Sequence, residues 1–108
     1  MGLDSFFFKK ILEEPKGFPE HNLYGSGGGN PHFRGEAYYN FIEEISGESL
    51  FTEEGDSDFI NTIVDALENV EFTESTCKAY NILPEEIDDL KKVFRYAKDN
   101  NLTYIGSW

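Results

Sequence analysis

Hydrophobic and polar positions change their period several times along this chain, and each change marks an element. In residues 3–12, Phe6 and Phe8 fall on one side and Phe7 and Ile11 on the other, with Lys9 and Lys10 where burial ends. A period of two predicts a β-strand, here one buried on both faces. In residues 36–46 the spacing becomes helical, with Tyr38, Phe41, Ile42 and Ile45 on one side and Gly47 placed to close the helix in a left-handed cap. Residues 58–69 predict a second helix, its stripe being Phe59, Ile60, Ile63, Val64 and Leu67 and its N-cap Asp56 or Ser57.

The third helix is expected over residues 84–100. Pro84 suits a first helical position, and Ile87, Leu90, Val93 or Phe94, and Ala97 face inward. Glu85, Glu86, Asp88 and Asp89 precede Lys91, Lys92, Arg95 and Lys98, an order that matches the helix dipole and allows pairs such as Asp88 with Lys92. Residues 102–108 alternate as a terminal strand that would pair with the first. Residues 72–80 carry two signals: Val70, Glu71 and Phe72 alternate like a strand, whereas Thr73 suits the cap of a short helical turn. Residues 13–35 contain three of the four prolines and six of the ten glycines, which predicts a long irregular loop of the kind that is often functional.

These elements predict one small α+β domain spanning residues 1–108. Its N- and C-terminal strands pair in one antiparallel sheet, about three helices pack on that sheet, and the Gly/Pro-rich loop occupies 13–35. A length of 108 residues, 39% hydrophobic content and 16% aromatics, with ten Phe and six Tyr, support a packed core over a disordered acidic tail. The single cysteine, Cys77, rules out an internal disulfide framework and reads as a buried apolar residue. With no leader segment before the first strand, a reducing cytoplasm is expected. No apolar run exceeds the triplet Phe6, Phe7 and Phe8, against the roughly 20 residues of a membrane-spanning helix.

Charge is distributed unevenly. Between Gly35 and Cys77 there are twelve carboxylates and no Lys or Arg, so this stretch alone equals the net charge of the whole chain, −12. A field of one sign attracts basic surfaces and repels phosphate backbones. Direct nucleic-acid binding is therefore disfavoured, and a cationic protein surface is the favoured partner.

Candidate chemistry is sparse. The run from Gly25 through Gly27, Gly28, Gly29 and Asn30 resembles a phosphate-cradling loop but lacks its Gly-Lys-Ser/Thr ending. Arg34, the sole base between Lys16 and Lys78, suits either a bidentate clamp on an anion or an ion pair with Glu36 or another nearby acid. His21 and His32, eleven positions apart, have no metal-ligand spacing, and with Glu20 and Glu36 they form no fixed acid/base pair. The acids around Asp56-Ser57-Asp58 lack the alternating twelve-residue pattern of a calcium loop. No catalytic residue, metal site or cofactor is assigned.

Three segments in order carry a resemblance: Met1-Gly2-Leu3-Asp4, then Phe33-Arg34-Gly35-Glu36-Ala37-Tyr38-Tyr39-Asn40-Phe41, then Tyr104-Ile105-Gly106-Ser107-Trp108. Together they resemble a family of small proteins carried by bacteriophages and prophages. Where that family has a Trp, a basic residue and a His, this chain has Phe33, Gly35 and Asn40 or Phe41. The resemblance implies a phage or prophage setting inside a bacterial host and brings no activity with it.

The expectation is a non-enzymatic accessory protein whose acidic face binds a basic surface of a host protein. That face would mimic the spaced charge of nucleic acid. Glu43, Glu44, Glu48, Glu53, Glu54, Asp56 and Asp58 would supply the field. The alternative is a binder of a small anionic ligand or nucleotide through Gly27, Gly28, Gly29, Asn30 and Arg34.

Overall fold

The computed structural model describes residues 2–9, 15–25, 28–71 and 73–108. Lys10, Ile11 and Leu12 of the expected first strand, residues 13–14 of the expected loop, Gly27 of the glycine run, Met1 and Phe72 lie outside the described residues.

Strand β1 (Asp4–Phe8) occupies the centre of the sheet. It pairs with β2 (His32–Arg34) on one side and with β4 (Thr103–Ser107) on the other, and β4 also pairs with β3 (Glu54–Gly55). All pairings are antiparallel and the order is β2-β1-β4-β3. The expected joining of the two terminal strands is thus observed, with Asp4 opposite Ser107 and Phe8 opposite Thr103. Within the expected loop over 13–35 the described residues include the short strand β2, because Phe33 inserts into the core between two half-buried neighbours.

Among the described residues four helices complete the domain: α1 (Tyr39–Ser46), α2 (Ser57–Asn69), α3 (Glu74–Tyr80) and α4 (Pro84–Asp99). A 3-10 turn over Gly35–Ala37 leads into α1, so the helix expected from residue 36 begins slightly later. Gly47 ends α1 with φ of 77°. Asp56 caps α2 by accepting the Phe59 N–H at 3.0 Å. The segment with two signals resolves in favour of a helix. Thr73 Oγ1 accepts the Thr76 N–H at 3.2 Å, opening α3, and a left-handed Asn81 closes it. In α4 the Glu86 carboxylate reaches back to accept the Leu83 N–H at 3.0 Å, satisfying a donor that the helix itself leaves unpaired.

The core lies against one face of the sheet. Phe7 and Tyr104 meet edge-on at 5.9 Å, and Phe94 from α4 and Phe59 from α2 approach them at 5.1 Å each. The stripe of α2 is buried as its spacing predicts, and in α4 both Val93 and Phe94 are buried. The expectation that the first strand is buried on both faces is corrected. Ser5 and Phe7 are fully covered, while Phe6 and Phe8 are half-buried on the opposite face, stacked at 5.8 Å and flanked by His32 and Ile105. Phe59 of α2 and Phe94 of α4 pack on the first face.

The salt bridge expected between Asp88 and Lys92 is replaced by one from Lys92 to Asp89, at 3.4 Å. The reason lies in the long loop. Lys92 Nζ also donates to the Glu20 carbonyl at 2.7 Å, and Asp89 accepts the Asn22 N–H at 2.9 Å. Tyr96 adds a third tie, its hydroxyl donating to the Lys16 carbonyl at 2.8 Å. One side of α4 therefore holds the irregular loop in place.

Candidate functional site

The glycine-rich loop is organised by His21, which is 2% exposed. Its Nε2 donates to the Asn30 carbonyl at 2.7 Å, and its Nδ1 accepts the Leu23 N–H at 3.2 Å. A carbonyl can only accept and an amide N–H can only donate, so these partners fix the neutral tautomer with the proton on Nε2. The His21 N–H donates to the Gly28 carbonyl at 2.9 Å, closing the loop on itself. His32 lies elsewhere, on the outer sheet face with its ring 5.8 Å from that of Phe6. Among the described residues no group of three or more His, Cys, Asp and Glu side chains is arranged to hold a metal ion.

Arg34 forms an ion pair with Asp4, Nε to Oδ1 3.5 Å, rather than with Glu36. The register explains the choice, because Asp4 and Arg34 are directly opposed on β1 and β2. Gly25 and Gly2 both lie against this arginine. Gly25 has φ of 81°, and a Cβ there would fall 2.8 Å from the Arg34 Cβ. A Cβ on Gly2 would collide with the guanidinium. Gly29 sits close to the Phe18 carbonyl, where a Cβ would come within 3.1 Å. These glycines make room for an arginine and for loop backbone. Asn30 and Gly28 contribute carbonyl oxygens to His21, as described above.

Two tyrosine hydroxyls are shielded from water. Tyr38 donates to the Glu86 carboxylate and accepts the Tyr24 N–H at 2.8 Å. Tyr104 donates to the Leu50 carbonyl at 2.6 Å and lies 2.7 Å from Ser5 Oγ. Burial raises both phenols well above their ordinary value of 10.0 and, for Tyr38, the hydrogen bond to Glu86 adds to the rise. Both act as neutral donors that fasten chain segments.

Cys77 is half-buried rather than buried. α3 is short and buries none of its residues fully, so the cysteine lies at the edge of a groove of about 420 Å³ beside Thr73, Ile82 and Leu83.

The seven acids named from the sequence fall into three places. Glu43 and Glu44 are exposed on α1 and line a groove with Tyr80 and Asn81 at the end of α3. Glu48, Glu53 and Glu54 follow along the connector to β3, Glu48 being half-buried and the other two exposed. Asp56 and Asp58 sit at the start of α2, where the positive end of the helix dipole favours them. Asp56 also shares a depression with Lys9 and Lys16. The ion pairs of Arg34, Lys78, Lys92 and Arg95 go to Asp4, Glu74, Asp89, Glu68 and Asp99, so none reaches the seven.

Sequence reasoning missed a feature of this connector. Leu50 is fully buried and points its neighbour Phe51 outward, 40% exposed. The Phe51 ring meets Tyr39 of α1 at 4.9 Å and Trp108, beyond the end of β4, at 5.4 Å, both edge to face. The available signal was the apolar pair Leu50-Phe51 in an otherwise polar and acidic connector.

Comparison with protein families, with curated proteins and with solved structures finds no match for this chain. Among the described residues no helix is long and apolar enough to cross a membrane. The functional reading accordingly rests on the chain's own charge and geometry.

Proposed function

We propose that this chain is a non-enzymatic, acidic phage or prophage protein that binds a basic surface of a host protein in the bacterial cytoplasm. In this reading it competes with nucleic acid for that surface. One observation carries the reading: Glu43, Glu44, Glu48, Glu53, Glu54, Asp56 and Asp58 stand outside the ion pairs formed by Arg34, Lys78, Lys92 and Arg95. Six of the seven are exposed, so their field reaches solvent. Such a field accelerates encounter with a Lys/Arg-rich groove and is weakened by salt over a Debye length of about 10 Å at 0.1 M. Asp56 has a second duty as the α2 cap and contributes less freely to recognition.

The test is capture on the immobilised chain, with duplex DNA as competitor, beside a variant carrying Glu43→Lys, Glu44→Lys, Glu48→Lys and Glu53→Lys. A basic, nucleic-acid-handling protein should be retained at low salt, released by salt and by DNA, and lost on the variant. Circular dichroism should show that the variant keeps its fold. Undiminished capture by the folded variant would exclude the acidic field as the binding determinant.

A further inference from the structure

The aromatic cluster of half-buried Tyr39 with exposed Phe51 and Trp108 sits inside the acidic region, and the fold holds it there. Gly106 of β4 donates its N–H to the Thr52 carbonyl at 3.0 Å, and a Cβ at this position would fall 2.5 Å from that same oxygen. Only a glycine lets the connector lie this close to the strand. Tyr104 fixes the carbonyl two residues earlier, that of Leu50. Phe51 is thereby carried out over the sheet edge to Trp108, which is 50% exposed. Large aromatic side chains in mutual contact and open to water are characteristic of binding anchors, because burying them on association is favourable and their rings lose little freedom.

Charge identifies the occupant. Glu53 and Trp108 line one depression of about 350 Å³ with Ile105, Gly106 and Ser107. Glu54 is directly opposite Ile105 in the strand pairing, and Glu43 lies one helical turn from Tyr39. Among the described residues no Lys or Arg lines this depression. Carboxylates beside aromatic faces suit a planar cation, which can stack on a ring while forking its N–H groups to a carboxylate. A guanidinium meets both conditions and is less strongly hydrated than an ammonium, whereas a nucleic acid would bring its phosphates against the acids. We propose that the cluster is the anchor for an arginine side chain of the basic partner, received over Phe51 and Trp108 with Glu53 as its carboxylate. This deepens the proposed function and rests on it.

Trp108 is the only tryptophan, so its emission reports on the site directly. The experiment titrates the whole chain with octa-arginine and, separately, octalysine, following Trp108 fluorescence at moderate salt. Octa-arginine should perturb the emission saturably and bind about tenfold tighter than octalysine. Phe51→Ala, at a position outside the buried core, should keep the circular dichroism spectrum and lose the arginine preference. Equal binding of the two peptides with unchanged emission would overturn the arginine anchor and leave the acidic-field reading standing. Binding of neither peptide would remove both. A concentration-dependent emission change without peptide, matched by dimer in sedimentation, would assign the cluster to a second copy of this chain and overturn the proposal.

Discussion

Ser5 Oγ and Tyr104 Oη lie 2.7 Å apart across 99 residues of chain, and the Tyr104 hydroxyl donates its own hydrogen bond to the Leu50 carbonyl at 2.6 Å. Ser5 is therefore the donor to Tyr104, and one short relay fastens the first strand, the last strand and the acidic connector. Tyr104→Phe strands a buried serine hydroxyl and a buried carbonyl and should cost about 1–3 kcal/mol. Ser5→Ala removes only the donor at the outer end and should cost less. Urea denaturation of both single variants and the double variant should show coupling, the double costing clearly less than the two single effects combined.

The same tyrosine sets an alkaline limit on stability. Its folded-state value is raised above the 10.0 of the unfolded chain, chiefly by burial, so the folded protein holds the proton that the unfolded chain releases. The stabilisation this represents is fully present below about pH 10 and is lost as pH rises toward the folded value. The expected slope from Tyr104 is about −1.4 kcal/mol per pH unit above that point. Denaturation series from pH 8 to 11 should show a shallower alkaline decline in Tyr104→Phe than in the parent. Parallel declines would show that the hydroxyl is not held neutral by the fold.

Asp56 and Asp58 are two residues apart and should respond differently to substitution. Asp56 accepts the Phe59 N–H at 3.0 Å and caps α2, so Asp56→Ala should lower stability by about 1 kcal/mol. Asp58 sits in the first turn, where Asp58→Asn loses only a favourable charge at the helix start, about 0.3–1 kcal/mol, and the loss should shrink in salt. Thermal melts at low and high salt separate the two, the effect of Asp56→Ala persisting when charge is screened.

Much of the fold was legible because local chemistry and tertiary placement agree. Phe59, Ile60, Ile63, Val64 and Leu67 are all buried as their period requires, Gly47 is left-handed as its position after α1 requires, and the terminal strands pair. Residues 72–80 were ambiguous because Thr73 and the alternation before it act over only a few residues, and the capping bond decided between them. The second face of β1 was misread because alternation in a run of three phenylalanines cannot tell two covered faces from one. Arg34 was left between an anion clamp and an ion pair with Glu36 or another nearby acid, and its partner Asp4 comes from strand register, which a single chain's pattern does not encode. The acids of the candidate site were visible as a charge run. The aromatic cluster was not, since Tyr39, Phe51 and Trp108 come from three separate segments brought together where the connector packs on Gly106 and is held by Tyr104.

Gly106→Ala tests that packing. The added methyl would meet the Thr52 carbonyl oxygen at 2.5 Å and the Leu50 carbonyl oxygen at 2.7 Å, and both are backbone atoms. Neither can turn aside as a flexible side chain would. Moving the connector would lengthen the 3.0 Å bond from Gly106 N–H to Thr52 and disturb the bond from Tyr104 to Leu50. The variant should lose about 1–3 kcal/mol of stability. Its Trp108 emission should also change, because displacing residues 50–53 carries Phe51 away from the indole. A stable variant with the emission of the parent would show that the connector does not depend on this close approach, and that the cluster is positioned from another side.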